Sequence, residues 1–414
     1  MQSVRLLGRN LPLAPLSLIV LGSCLWPEME LLVPSLPAMK DAFQVTDAEI
    51  QQLLTSNFMG FLCGVLFAGG LCDSLGRKKL ILWGLLFYIL ASGVAVLADS
   101  FSLLMVARFF QGLAVTAPII GGSTMLMDVT RGPNQLTWIS LSSASITMCM
   151  AGAPLIGAWI NINFGYQGNL LAIFCLGILG GLPILFLSET LDQDKKRSLK
   201  VKTLMRGYGE VLRNKKFILL VVPLCVFAAA YWVYSGISAL YMVDYLQMDP
   251  ALFGRYQGPI VGAFSFFSVG FSFFYKRLGI KCIWIGGLSM LISSVSLFVL
   301  SIIGIENAFF TTIAMMFYVA GMVPANSLLY PVAIKQLPVE LQGSGQSLLQ
   351  GLRLFAASIG TSLLGLFYTG PFMPVAIILL VSFVLGTISM LYASKWLLQS
   401  IQEDNTGNIV GSGH

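Results

Sequence analysis

The chain has 414 residues, 57% of them hydrophobic and 10% charged, with a formal net charge of +6. Soluble domains carry about a quarter charged residues, so a mean hydropathy of +0.84 excludes an ordinary globular protein and marks an integral membrane protein. The basic residues sit in short loops between apolar runs rather than along one stripe, which argues against nucleic acid as a partner.

Arg5 and Arg9 precede an apolar run through Leu21-Gly22-Ser23-Cys24, a pattern that imitates a signal peptide with a lipoprotein cleavage site. The apolar stretch continues to Met39, long enough to span, so it is expected to stay as the first crossing. A window of ~19 residues gives twelve spans, at 16–38, 51–71, 80–98, 101–127, 136–160, 167–187, 217–240, 253–275, 281–303, 308–331, 343–367 and 373–397. Each can provide the ~20 residues a helix needs to cross the hydrocarbon. The alternating pattern of a β-barrel is missing, and backbone satisfaction in lipid then leaves helices. The expected fold class is an all-α membrane protein with twelve transmembrane helices in two pseudo-symmetric six-helix bundles.

The longest polar interruption, 188–216, separates a first bundle (1–187) from a second (217–398), and a polar tail (399–414) follows. Twenty Lys and Arg fall on one side of this pattern, nine of them between Lys195 and Lys216; only Lys40 and Arg255 fall on the other. The positive-inside rule therefore puts both termini, the linker and the tail in the cytoplasm. The linker is expected to be solvated and to touch anionic lipid, and the tail to be mobile. The halves also repeat: Leu75-Gly76, after span two, matches Leu278-Gly279, after span eight, at an offset of 203 residues. Such duplication is usual in secondary transporters.

The seven cysteines lie in or at the ends of apolar runs without metal-ligand spacing, and are expected to be packing residues. The single histidine is His414, so no histidine relay can run through the membrane. No phosphate-binding loop, hydrolytic triad, redox motif or metal cluster is visible, so neither an enzyme nor a cofactor is expected.

Among eighteen acidic residues only Glu28 and Glu30, in WPEMELLVPSLP, lie well inside a span. Two apart on a helix, they point about 200° away from each other. Pro34 has no N–H and leaves the carbonyl of Glu30 free, bending the helix beside that carboxylate. An intramembrane carboxyl holds its proton more tightly than one in water, so Glu30 is the first candidate proton carrier and Glu28 the second. Glu28 has the alternative of snorkelling to the outer surface. Arg108 in span four is the expected opponent of Glu30; at ~6 Å and an effective dielectric of ~20 it would contribute about 2.8 kcal/mol.

Arg353, eleven residues into span eleven, must face a partner, a wet cavity or an anionic substrate. A first-helix glutamate and a substrate carboxylate are both open as its counter-ion. Tyr231, Trp232 and Tyr234 in span seven are candidate cavity aromatics, and Asn57 and Gln111 are candidate polar groups for substrate. Gly76 allows a sharp turn across which Asp73 can hold Arg77, unless Asp73 sits against a helix N-terminus. Gly152, Pro154 and Gly157 permit close packing and a bend in span five, and Thr46 to Glu49 reads as a capping box.

GGLCDSLGRKKLIL (69–82) resembles the loop signature of the major facilitator superfamily, LMVARFFQGLAV (104–115) its fourth-helix motif and AGAPLIGAWI (151–160) its fifth-helix antiporter motif, with Ala153 and Ala158 replacing glycines. The stretch Pro34–Gln51 is similar to the first loop of the twelve-helix drug:proton antiporters of the bicyclomycin/chloramphenicol (Bcr/CflA) type. The resemblance implies proton-coupled export of small amphipathic compounds by alternating access, through a monomer in a bacterial inner membrane. It also implies a conformational latch at Asp73, Gly76 and Arg77, and a seal between the halves at Gly152, Pro154 and Gly157. The alternative is dedicated transport, in either direction, of a carboxylate-bearing metabolite such as a siderophore. Arg353 departs from the drug-antiporter pattern and favours that alternative.

Overall fold

A computed structural model describes residues 3–6, 9–130, 135–191 and 201–410. A short antiparallel hairpin, β1 (Ser3–Leu6) and β2 (Arg9–Pro12), precedes helices that make up nearly all the rest. The first crossing is built in pieces. Helix α1 (Leu13–Leu25) ends before Pro27, α2 (Glu28–Leu32) is a single turn, a 3-10 turn at Val33–Ser35 carries Pro34, and α3 (Leu36–Phe43) completes the span. The prolines withhold backbone donors, so the helix breaks on either side of the two glutamates.

Helix α4 (Asp47–Leu75) starts on the expected capping box, Thr46 and Glu49 satisfying each other's backbone. Gly76 follows with φ +102°, a turn that a side chain would strain, and α5 (Arg77–Val96) begins at once. Helix α6 (Phe101–Val129) and α7 (Gln135–Gly181) close the first half, with a 3-10 turn at Leu182–Phe186. Spans five and six form one line of helix broken only at Gly165, where φ is +68° and ψ −177°. The eleven long apolar helices among the described residues thus make twelve crossings, because the Thr137–Phe186 stretch contains two.

The second half holds α9 (Lys215–Ala239), which ends in a π-turn at Leu240–Tyr245, then α10 (Pro250–Leu278), α11 (Lys281–Ile302), α12 (Ala308–Lys335), α13 (Val339–Phe367) and α14 (Met373–Val410). Gly279 repeats the positive φ of Gly76 at the matching turn. Large apolar side chains such as Trp83, Phe87 and Leu90 on α5 and Phe266 on α10 point outward, where lipid covers them.

One expectation about the polar segments changes. Residues 201–213 of the linker form helix α8, which is docked on the bundle: Val211 is buried and the Tyr208 hydroxyl donates to the Leu66 carbonyl of α4 at 2.6 Å. An amphipathic helix buries its apolar stripe wherever a surface accepts it. The tail continues α14 as helix to Val410, and residues 411–414 and the linker stretch 192–200 lie outside the described residues.

The halves meet along two seams, α4 against α13 and α7 against α10. In the first, the hydroxyls of Thr55 and Thr361 are 2.9 Å apart; in the second, Ser265 donates to the Thr147 carbonyl at 3.0 Å. Away from the basic loops, Lys40 bridges Asp47 of its own half (3.0 Å) and Asp244 of the other (2.6 Å).

Candidate functional site

A cavity of about 500 Å³ lies between the halves, reaching from Tyr231 and Trp232 at mid-span to Met127 and Ile139 near the basic loops. Its lining thus extends toward the basic face, while on the opposite face the Lys40 pairs bridge the halves.

Glu28 and Glu30 take opposite sides of the first helix, as their spacing requires. Glu28 is turned into its own half, where it accepts from Asn57 Nδ2 at 3.1 Å and from the Tyr88 hydroxyl. It is 4% exposed and does not snorkel to a surface. Glu30 is fully buried and reaches across the seam: the Tyr231 hydroxyl donates to it at 2.7 Å and Ser235 at 3.4 Å, both from α9. The Gln257 amide of α10 stands beside the same carboxylate without hydrogen-bond geometry to it, so both its polar atoms are unpartnered.

Arg108 does not oppose Glu30. Its guanidinium binds Gln111 Oε1 at 2.9 Å and the Met29 sulfur at 2.8 Å, and no ion pair joins it to either glutamate. The reason is geometric: α6 belongs to the first half, and Glu30 faces the second. Gln111 and Asn57 also stay off the cavity wall. Gln111 donates to Ser92 at 2.8 Å, and Asn57 is held by Glu28 and the Arg108 carbonyl. Tyr234 packs against Phe372 with its hydroxyl buried and unpartnered, one position round α9 from the wall. Tyr231, Trp232 and Arg353 do line the cavity, with Trp26 and Gln350.

On the basic face Arg77 holds Asp73 at 3.4 Å, and more closely Asp128 of α6 at 3.1 Å. The N-terminus of α5 is capped by Glu189, which accepts the backbone N–H groups of Arg77 and Lys78 at 2.9 and 3.1 Å. Sequence reasoning missed Asp128 and Glu189, although each is an acidic residue at the end of a span on the side of Arg77. Tyr88 and Ser235 gave no signal; an isolated Tyr or Ser in an apolar run is ordinary.

The fifth-span motif splits. Gly157 permits contact within the half, since a Cβ there would lie 2.2 Å from the Leu31 carbonyl. Gly152 has nothing within 4 Å, so it is not a packing glycine here. The close approach between halves instead uses Gly254 of α10, whose added Cβ would be 2.7 Å from Leu155 Cα and 3.0 Å from the Pro154 carbonyl.

Two six-helix halves around a central cavity, with carboxylates buried at mid-span, define a secondary transporter. The family model described as Major Facilitator Superfamily matches residues 18–361, and the chain belongs to that superfamily. Among curated relatives, the "Multidrug resistance protein MdtL" of Shewanella sp. (strain ANA-3) is 26% identical over 222 residues, covering 53% of this chain and 55% of that protein. The "Bicyclomycin resistance protein homolog" of Haemophilus influenzae is 26% identical over 193 residues, 46% of this chain and 48% of that one. The matched stretch thus spans about half the length of these relatives. A solved structure of the peptide transporter POT in complex with sulfate superposes with a TM-score of 0.74 at 14% identity, over 95% of this chain and 97% of that one, a likeness of fold.

Proposed function

We propose that this chain is a proton-coupled exporter of small amphipathic organic compounds, working as a single chain by alternating access. The observation that carries the reading is the bond from Tyr231 to Glu30: one hydroxyl joins a buried carboxylate of the first half to a residue on the cavity wall of the second. The names of the relatives, a multidrug resistance protein and a bicyclomycin resistance homolog, support efflux.

The ionised Glu30 carboxylate accepts from Tyr231 and Ser235, and so ties the halves together in the conformation whose cavity faces the basic side. A protonated carboxyl accepts less well and needs a partner for its own proton. Protonation therefore loosens the tie and favours separation of the halves on the opposite side. Proton entry from outside, release toward the basic face and substrate binding there make an antiport cycle. The basic face is cytoplasmic by the positive-inside rule, which gives a bacterial inner-membrane protein with both termini inside. Asp73, Asp128 and Arg77 on Gly76 form a latch that sets switching rates, and span five, through Pro154, slides on Gly254.

The test is ΔpH-driven transport in inside-out vesicles, with cationic, neutral and anionic compounds. Accumulation that persists after the proton gradient is collapsed would refute the coupling.

A further inference from the structure

Among the described residues the cavity wall carries one formal charge, and it is positive: Arg353 is the only ionised side chain among those that line it, and no described aspartate or glutamate reaches the wall. Among the described residues, no ion pair or hydrogen bond joins its guanidinium to the protein. Its polar neighbours are the Cys225 thiol of α9 and the Tyr330 hydroxyl of α12, neither an anion. The sequence left two counter-ions open, and the geometry removes one. Glu30 is turned to Tyr231 and Ser235, and Glu28 to Tyr88 and Asn57, so neither first-helix carboxylate neutralises Arg353.

A guanidinium does not deprotonate in proteins, so this site cannot relieve its charge by becoming neutral. An intramembrane cation without a protein partner requires water or an incoming anion. The surrounding wall is mainly apolar, with the rings of Trp26, Tyr231 and Trp232 on it, and about 500 Å³ lies within the roughly 300–1,000 Å³ of drug-sized pockets. A small inorganic ion would leave most of that surface in contact with water.

We propose that the cavity selects amphipathic organic monoanions, with a flat apolar body against the aromatic wall and a planar oxyanion paired with Arg353. The fork of the guanidinium matches a carboxylate bidentately. This rests on reading the cavity as the substrate site of an exporter. The same oxyanion chemistry could reach Arg353 as a solute carboxylate or as the phosphate of an anionic lipid entering from the basic face.

The experiment is calorimetric titration of wild type, Arg353→Gln and Arg353→Lys in phosphatidylcholine nanodiscs, without a pH gradient. The ligands are biphenyl-4-carboxylate, biphenyl-4-carboxamide and biphenyl-4-methylammonium. Wild type should bind the carboxylate at least about tenfold tighter than the carboxamide, a gap of about 1.4 kcal/mol, with the ammonium weakest. Arg353→Gln should bring the carboxylate down to the carboxamide and leave the carboxamide unchanged, and Arg353→Lys should fall between. The unchanged carboxamide shows that the cavity has kept its shape.

Several results overturn the proposal. They are no carboxylate preference in wild type, a preference that survives Arg353→Gln, displacement of the carboxylate by equimolar sulfate, or no measurable carboxylate binding. Loss of carboxylate binding in phosphatidylglycerol nanodiscs alone would assign the site to lipid and overturn it too. Because no gradient is imposed, failure here leaves proton coupling standing, and failure of proton coupling leaves this binding series intact.

Discussion

Glu28 and Glu30 stand two residues apart on one turn of helix, both buried, and they answer to different halves of the molecule. Glu28 is satisfied inside the first bundle by Tyr88 and Asn57, beside the Arg108–Gln111–Ser92 chain. Glu30 is satisfied only by the second bundle, through Tyr231 and Ser235. A group whose partners travel with it feels no change when two rigid bodies rock. One whose partners belong to the other body must exchange them at every cycle, and an exchanged partner is where a proton can be gained or lost. Burial alone therefore does not separate a structural carboxylate from a working one; ownership of its hydrogen bonds does.

The largest effect expected is at Glu30. Glu30→Gln should abolish ΔpH-driven transport while keeping the fold, because an amide can still accept from Tyr231 and the loss is that of a charge-assisted bond, about 1–2 kcal/mol. Vesicle transport with and without a gradient, beside thermal unfolding in detergent, reads both. If gradient-driven accumulation persists, Glu28 becomes the carrier and the contrast collapses.

Next in size is Glu28→Leu, expected to lower stability by about 3 kcal/mol, since it strands the buried donors of Tyr88 and Asn57. Counterflow by whatever protein remains folded should continue at near the wild-type rate. Loss of counterflow with unchanged melting would give Glu28 a transport role and end the division.

A matched pair sharpens the comparison. Tyr231→Phe and Tyr88→Phe remove the same hydroxyl from the two glutamates, each worth about 1.5–3 kcal/mol as a bond to a charged group. Tyr231→Phe should shift the population toward opening on the face away from the basic loops, as spin-label distances between α3 and the Leu240–Tyr245 turn, with Lys40, Asp47 and Asp244 left unlabelled, would report. Tyr88→Phe should lower the melting temperature and leave those distances alone. Equal shifts from both would show that the two sites are not separate.

The smallest effect belongs to Lys40→Ala. Partly exposed ion pairs contribute about 1 kcal/mol or less, so the same distances should broaden only slightly. A shift as large as that of Tyr231→Phe would move the tie from the glutamate to the surface.

Span number, the two halves and the basic face were legible because length, hydropathy and Lys/Arg bias act locally along the chain. The break at Gly165 falls in the expected gap between the fifth and sixth spans (136–160 and 167–187), though only the backbone angles show that helix runs right up to it on both sides. At the site, Tyr231, Trp232 and Arg353 could be named from one segment each. The pairing of Glu28 with Tyr88 could not, because it joins residues 60 apart through a tyrosine that looks like any other apolar aromatic. Arg108 was set against Glu30, yet it binds Gln111 and Met29 and pairs with neither glutamate: with the 200° rule in hand, the missing piece was which face of the first helix meets α6. Gly152 failed for a similar reason, since a glycine spacing does not tell which partner helix, if any, comes close.

The guanidinium of α13 also bears on how the chain enters the bilayer. The 18-residue window that qualifies Leu341–Phe367 as a span has a mean hydropathy of 1.2, the lowest of the eleven apolar helices among the described residues, and an arginine at the centre of a helix costs about 2.5–3.5 kcal/mol on translocon insertion scales. This segment is a poor self-inserter. It becomes acceptable where α4 and α9 already offer a protein surface, with Leu62 and Val65 against Gly351 and Val233 against Gly360. Synthesis runs from the N-terminus, so both helices are in place before α13 emerges. A chain order that delayed α4 would leave the eleventh crossing without a host.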